Sequence, residues 1–264
     1  PYTLQCGLSE TLDGSGSFDP DGGSLTFDWS GPFVGSPLED GGPTPSVVFP
    51  TPTGDKSVDL TVTDDEGNLA LCAAFASVID TIPPDLTVPD DIVAECAAPE
   101  GTPVDIGEAV AMDACDPDVE PDNDAPALFP LGSTDVTWTA VDDDDNSTSD
   151  VQNVLVEDTT PPAVFCNAPT TITPPDAPIS FTATAEDVCE GPLTPVIVDY
   201  GCFKVTKKGK IIDKTESCIV SFAGDTVTIA DSGGVGTRIT WTAEATDGSG
   251  NVGSVECGVD VVRP

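Results

Sequence analysis

Three times along this chain a run rich in Thr and apolar residues ends in Asp-x-x-x-Asn: Asp64–Asn68, Asp142–Asn146 and Asp247–Asn251. Each unit carries a second loop acid earlier: Asp19 with Asp21, then Asp113, then Asp187. Asp80 and Asp158 stand just before the second and third units. Asp144 and Ser249 add further side-chain oxygens inside the loops. Carboxylate, amide and hydroxyl oxygens without imidazole are ligands for a hard cation that takes six to eight oxygens. Asp and Asn are also ordinary turn residues, so one such loop would mean little. Three in register point to a cation that relieves the mutual repulsion of the carboxylates.

The same composition excludes most catalysis. The chain has no His, which removes the usual acid–base group and most transition-metal chemistry. No Ser–His pair, phosphate cradle or nucleotide fingerprint is present. Paired carboxylates can serve a glycosidase, but here they recur once per unit, with no insertion to form a cleft. An enzyme is not expected.

The elements that must position these acids are strands. Asp-Thr-(Ile/Thr)-Pro-Pro occurs at Asp80–Pro84 and again at Asp158–Pro162, each time between alternating apolar runs. Two consecutive prolines cannot continue a ladder and stiffen the chain into an extended linker. Helix signals are nearly absent, and short Val/Thr/Ile/Phe runs punctuated by Gly, Pro and Asp indicate β-sandwiches. The expected fold is all-β, three tandem immunoglobulin-like sandwiches in a rod, at residues 1–80, 81–158 and 159–264. In such a sandwich the B–C loop, the F–G loop and the start of strand A share one pole, so the acids of each unit should meet at the junctions. The chain ends Val261-Val-Arg-Pro264 and begins Pro1-Tyr-Thr-Leu4, so tail joined to head would give a third Pro-Pro junction.

Residues 11–22 (Thr-Leu-Asp-Gly-Ser-Gly-Ser-Phe-Asp-Pro-Asp-Gly), Leu25–Trp29 and Val58–Asp65 resemble a PKD domain. Residues 80–158 resemble a hyalin-repeat (HYR) domain, through the Asp-Thr-x-Pro-Pro linkers, Phe129–Ala140 and the Asp loop that follows. Residues 159–264 look like a more divergent relative that keeps Ile239–Ala243 and Asp247–Asn251 and gains a hairpin. The resemblance implies an extracellular, non-catalytic module for adhesion, surface display or spacing, calcium-stabilised in the PKD case.

Nine Cys with a single Met fit disulfide-stapled secreted domains. Counting from the linkers and loops pairs Cys6–Cys72 and Cys166–Cys257. In the middle unit the equivalents are Val88 and Gln152, which leaves Cys96 to pair with Cys115, a departure from the HYR pattern. Cys202 and Cys218 flank a Lys-rich hairpin and should close a cross-strand bridge. Cys189 is then odd, and a bridge from it to Cys202 or Cys218 stays open as the alternative.

The charge is −39, of which the middle unit, with no Lys or Arg, carries about −21. This sign excludes nucleic acid as a partner. A solubilising acidic surface explains the net value, but not why 34 of 47 acids are Asp in matching places. Lys204, Lys207, Lys208, Lys210 and Lys214 form a basic knob, either guarding a hairpin edge or docking on the acidic middle unit of another copy. Asn146-Ser-Thr148 also fits a glycosylation sequon. No stretch approaches the ~20 apolar residues of a membrane span, and the missing initiator Met suggests a processed or excerpted chain.

The expected function is a calcium-stabilised extracellular or cell-surface structural protein, forming or belonging to a filament by head-to-tail association with copies of itself. Cell-surface or matrix components are its other expected partners. The alternative is a non-catalytic adhesion or spacer module of a large secreted adhesin or hydrolase.

Overall fold

The computed structural model describes residues 2–50, 53–206 and 208–264. They form strands and one short 3-10 turn, Thr215–Ser217, with no α-helix among the described residues. Alternation makes the strands. In Gly132–Val141 the side chains of Val136, Trp138 and Ala140 are buried, and the residues between them are less so. In Thr237–Thr246 the buried set is Thr237, Ile239, Trp241, Ala243 and Ala245. A period of two places one set on the core face and the other towards water.

Among the described residues no sheet crosses either Pro-Pro segment. Before the first, Tyr2–Gln5, Leu69–Ile79, Gly54–Asp64 and Leu25–Ser30 lie side by side in that order, and Ser9–Thr11 pairs with Ser46–Val48. Their core holds Trp29, Phe27, Phe33, Phe49, Leu60 and Val78. Between the prolines, Asp122–Asn123, Gly132–Val141, Ser147–Glu157 and Ile92–Glu95 form one sheet, and Asp85–Thr87 pairs with Val110–Met112. After the second, one sheet orders Ala163–Cys166, Ile179–Asp187, Thr226–Asp231 and Ile219–Ala223, with Gly191–Leu193 also on Ile179–Asp187. The other orders Thr171–Ile172, Val252–Val261, Thr237–Thr246, Val196–Val205 and Ile211–Asp213. Phe181 stacks on Trp241 in this core, centroids 6.1 Å apart.

Spatially the residues gather into two units, one of residues 1–91, 106–125 and 135–153 and the other of 92–105, 126–134 and 154–264. The boundary runs through the middle sequence repeat.

The parallel pairings align the repeats differently from the linker count. Gln5 lies opposite Ile79, Glu95 opposite Glu157 and Ile172 opposite Val261. Tyr2–Gln5 therefore corresponds to Ile92–Glu95, not to the strand that follows a Pro-Pro linker. Pro1 itself lies outside the described residues.

This shift corrects the disulfides. Cys6 bonds Cys115 and Cys96 bonds Cys189, so Cys6–Cys72 and Cys96–Cys115 do not form. Cys6 and Cys96 each follow the parallel strand of one repeat, and Cys115 and Cys189 each sit two residues after the loop Asp of the next. Cys189 is bonded, and Cys72 is the free, exposed thiol. Cys166–Cys257 and Cys202–Cys218 form as expected. The hairpin bridge has a different origin, however. Phe203 pairs with Asp213 and Val205 with Ile211, so the residue opposing Cys202 is Lys214. The 3-10 turn then carries Cys218 back to Cys202.

In the middle repeat a buried glutamine stands where Cys257 stands in the third. Gln152 Nε2 donates to the carbonyls of Asp90 (2.8 Å) and Ile106 (3.2 Å), and its Oε1 accepts from Trp138 Nε1 (3.1 Å).

Candidate metal centres

Each Asp-x-x-x-Asn segment is the turn of a hairpin. The N–H of the Asp donates to the carbonyl of the Asn at 3.1, 3.0 and 3.1 Å for Asp64, Asp142 and Asp247. The fourth position takes positive φ in all three: Gly67 at 86°, Asp145 at 67° and Gly250 at 92°. Glycine adopts this conformation freely and Asp tolerates it.

The loop Asp and Asn hold one another. Oδ1 of Asp64, Asp142 and Asp247 accepts the Asn backbone N–H at 2.7–2.8 Å, and Oδ2 accepts Asn Nδ2 at 2.8–3.0 Å. The side chain and N–H of Asn68 hold the Asp64 carboxyl below the usual range. Burial opposes the same shift at Asp247, but the Asn251 bonds outweigh it. The Asn side chains also reach the linkers, from Asn146 to the Asp80 carbonyl (3.3 Å) and from Asn251 to that of Asp158 (3.0 Å). The two Asn residues therefore fasten turn to linker.

The B–C loops are built alike. Asp113 Oδ1 accepts from the N–H groups of Cys115 (2.7 Å) and Asp116 (3.0 Å), and Asp187 Oδ1 from Cys189 (2.7 Å) and Glu190 (3.1 Å). The acid three residues on then caps the hairpin turn: Asp116 Oδ2 accepts Asp143 N–H and Glu190 Oε1 accepts Gly248 N–H. Both acids were legible as matched positions three residues after the loop Asp, and the sequence reading passed them over.

Among the described residues three acidic groups result, each with its atoms within 4.8 Å of one another: Asp80–Asp113–Cys115, Asp158–Asp187–Cys189 and Asp19–Asp64–Glu66. The two cysteines are in disulfides and offer no thiolate. Asp19 is engaged by the N–H groups of Asp21 and Gly23, both at 2.8 Å. Asp21 and Asp144 belong to none of these groups, Ser249 is exposed, and the Nδ2 atoms of Asn68, Asn146 and Asn251 donate to their loop Asp. Asp142 and Asp247 are buried yet already bonded.

The junction groups differ in one respect. Asp80 Oδ1 accepts Gln5 Nε2 (2.9 Å) and Ile82 N–H (3.0 Å). At the next junction Glu95 takes the place of Gln5 and turns to Thr159 and Thr160, whose donors lower its pKa. Asp158 keeps one bond, from Thr160 N–H to Oδ1 at 3.2 Å. Oδ2 of Asp158 and Oδ2 of Asp187 are buried and have no hydrogen-bond partner among the described residues. Asp158 is 8% and Asp187 4% exposed. The ion pair that the described residues show, Arg238–Asp260, lies elsewhere. Two buried carboxylates this close, with unbonded oxygens and no ion-pair partner among the described residues, suit a bound cation; the donor set is all oxygen.

Of the hairpin lysines, Lys204 donates to the Val235 carbonyl (3.3 Å), Lys208 and Lys210 are exposed, and Lys214 is half-buried. Lys207 lies outside the described residues. No helix among the described residues is long and apolar enough to cross a membrane.

No protein-family model and no curated protein matches the chain, so the PKD and hyalin-repeat resemblances have no family-level counterpart. Among solved structures, the chain is similar to protocadherin γB7 domains EC3–6 at 13% identity and TM-score 0.32, over 98% of this chain and 71% of that one. Mouse cadherin-23 EC22–24 gives 15% identity and TM-score 0.33 over 100% and 96%, and the human desmocollin-1 ectodomain 9% and 0.29 over 100% and 60%. Likenesses at this level carry no functional weight. The function is therefore built from the chain's own residues.

Proposed function

We propose that the chain is an extracellular, non-catalytic array of three immunoglobulin-like sandwiches, 1–80, 81–158 and 159–264, whose junctions are fixed by Ca²⁺ and by disulfides. The observation that carries this is the pair of unbonded, buried oxygens on Asp158 and Asp187. A divalent cation there neutralises two carboxylates and ties the linker to the B–C loop of the repeat it enters. Asp80 with Asp113, and Asp19 with Asp64, offer related but better-satisfied or more open sites. Four disulfides support the oxidising, extracellular setting. Two of them lie beside the acidic groups, so covalent and ionic ties act at the same places. Such an array serves adhesion, spacing or a surface filament. Copies associate through the lysine hairpin and acidic surfaces, a contact that weakens with salt.

Thermal unfolding in millimolar calcium and in chelator tests this. A cation that binds only the folded state at a hundred times its dissociation constant stabilises by about 2.7 kcal/mol. Equal melting temperatures would sink the calcium reading and leave the acidic surface as mere solubilisation.

A further inference from the structure

Given the calcium site proposed above, on which this rests, we infer that the Cys96–Cys189 bridge is a redox gate on the cation at Asp158 and Asp187. The oxidised bridge holds the two carboxylates together for the cation, and the bound cation shields the bridge from reduction.

The bridge spans the same two segments as the carboxylates. Sγ of Cys189 lies within 4.8 Å of a carboxylate oxygen of Asp158 and of one of Asp187. Cys96 is anchored on both sides of Asp158. Its N–H donates to the carbonyl of Glu157, the residue before Asp158, at 2.7 Å. Glu95, next to Cys96, accepts from the N–H of Thr159 (2.9 Å) and from the hydroxyls of Thr159 (2.9 Å) and Thr160 (2.8 Å), just past Asp158. Across the bridge, Cys189 N–H donates to Asp187 Oδ1 at 2.7 Å. The disulfide therefore joins the segment that holds one carboxylate to the segment that holds the other. A cation between Asp158 Oδ2 and Asp187 Oδ2, the buried oxygens without a partner among the described residues, joins the same segments by a second path.

Without the bridge these segments are tied less directly. Asn251 Nδ2 reaches the Asp158 carbonyl and Glu190 Oε1 accepts Gly248 N–H, both by way of the Asp247–Asn251 turn. Strand pairing starts only at Ala163, opposite Glu186. Two like charges then drive linker and loop apart. Bringing them back for a cation costs conformational entropy that the bridge has already removed. Reduction therefore weakens the site, which matures where the bridge can form.

Linkage makes the effect reciprocal: the factor by which reduction weakens cation binding is the factor by which the cation disfavours reduction. Burial sets the sign of the rate effect. Cys96 and Cys189 are each 8% exposed, so a reductant must wait for linker and loop to part. The parted form has released the cation, so a cation's pull on the attacking thiolate does not enter. Only the rarer opening counts. At a hundred times the dissociation constant, opening becomes about a hundredfold rarer.

The test treats the native chain with dithiothreitol, in calcium and in chelator at matched ionic strength, then alkylates and maps each bridge. One dithiothreitol thiolate attacks a bridge sulfur and the other protein sulfur leaves as a thiolate. The second dithiothreitol thiol displaces the first, which yields two protein thiols and the cyclic disulfide of the reagent. Calcium should slow the loss of Cys96–Cys189 at least about tenfold. Cys202–Cys218, also buried but in none of the acidic groups, should change little and reports on global stabilisation. Asp158→Asn/Asp187→Asn should keep the bridge and lose the protection. By calorimetry the Cys96→Ser/Cys189→Ser variant should bind calcium at least about tenfold more weakly than the intact chain. If calcium binds the intact chain yet leaves the Cys96–Cys189 rate unchanged, or slows both bridges alike, the gate is overturned and the calcium site stands. No calcium binding by the intact chain overturns both.

Discussion

Asp158 and Asp187, both buried, bring their carboxylates within 4.8 Å of one another, each with an oxygen that no donor among the described residues reaches. The first comes from a linker and the second from a loop of the repeat that the linker enters. Without a counter-charge this arrangement opposes folding.

Neutralising one member should therefore act in opposite directions with and without cation. Asp187→Asn is expected to raise the melting temperature in chelator and to remove the calcium-induced increase. A variant that lowers stability equally in both conditions would show that Asp187 matters only through its bonds to the Cys189 and Glu190 N–H groups.

Non-reducing peptide mapping should recover Cys6–Cys115, Cys96–Cys189, Cys166–Cys257 and Cys202–Cys218, and alkylation of the folded protein should label Cys72. A Cys6–Cys72 peptide would contradict the register of the first repeat. Losing Cys96–Cys189 should cost about 2–5 kcal/mol, the usual range for a native bridge in a small secreted domain.

Gln152 replaces a disulfide with three hydrogen bonds. Gln152→Ala leaves two carbonyls and an indole N–H without their partner, and a cavity as well. It should destabilise by about 3 kcal/mol or more in chemical denaturation. A loss below about 1 kcal/mol would mean that water replaces the side chain at no cost.

Glu95 gives the acid limb of the stability curve a definite sign. The Thr159 and Thr160 donors depress its pKa from the ordinary 4.5. The folded state therefore favours the ionised form. Its contribution is complete above the unfolded pKa and disappears as pH falls through the lower folded value. Glu95→Gln should lower stability in the neutral range and converge with the intact chain as pH falls below about 4.5, so that the acid limb is flatter. An unchanged acid limb would refute this.

Much of this was legible in the sequence. Period-two alternation in runs such as Gly132–Val141 gave the strands, and the repeated Asp-Thr-x-Pro-Pro marked where no sheet crosses. The loop acids Asp113 and Asp187 were found because Asp at matched spacing is visible without coordinates. The pairing of Cys6 and Cys96 was not. It depends on Tyr2–Gln5 lying parallel to the last strand of its repeat, and distance from a proline cannot tell a first strand from a second. The roles of Asn146 and Asn251 were hidden for a related reason. An Asn in an acidic loop reads equally as a ligand or as a clamp, and the Nδ2 contacts to the linker carbonyls are visible only in three dimensions. The fourth position of the turn could have been read, since Gly67 and Gly250 both mark a left-handed residue.

Calcium titration by calorimetry, on the intact chain and on the Asp158→Asn/Asp187→Asn variant, addresses the central claim most directly. The intact chain should show saturable binding that includes a class of site missing from the variant, whose circular dichroism should stay that of a β-protein. Identical isotherms for the two proteins, or no heat from either, would contradict a cation at Asp158 and Asp187.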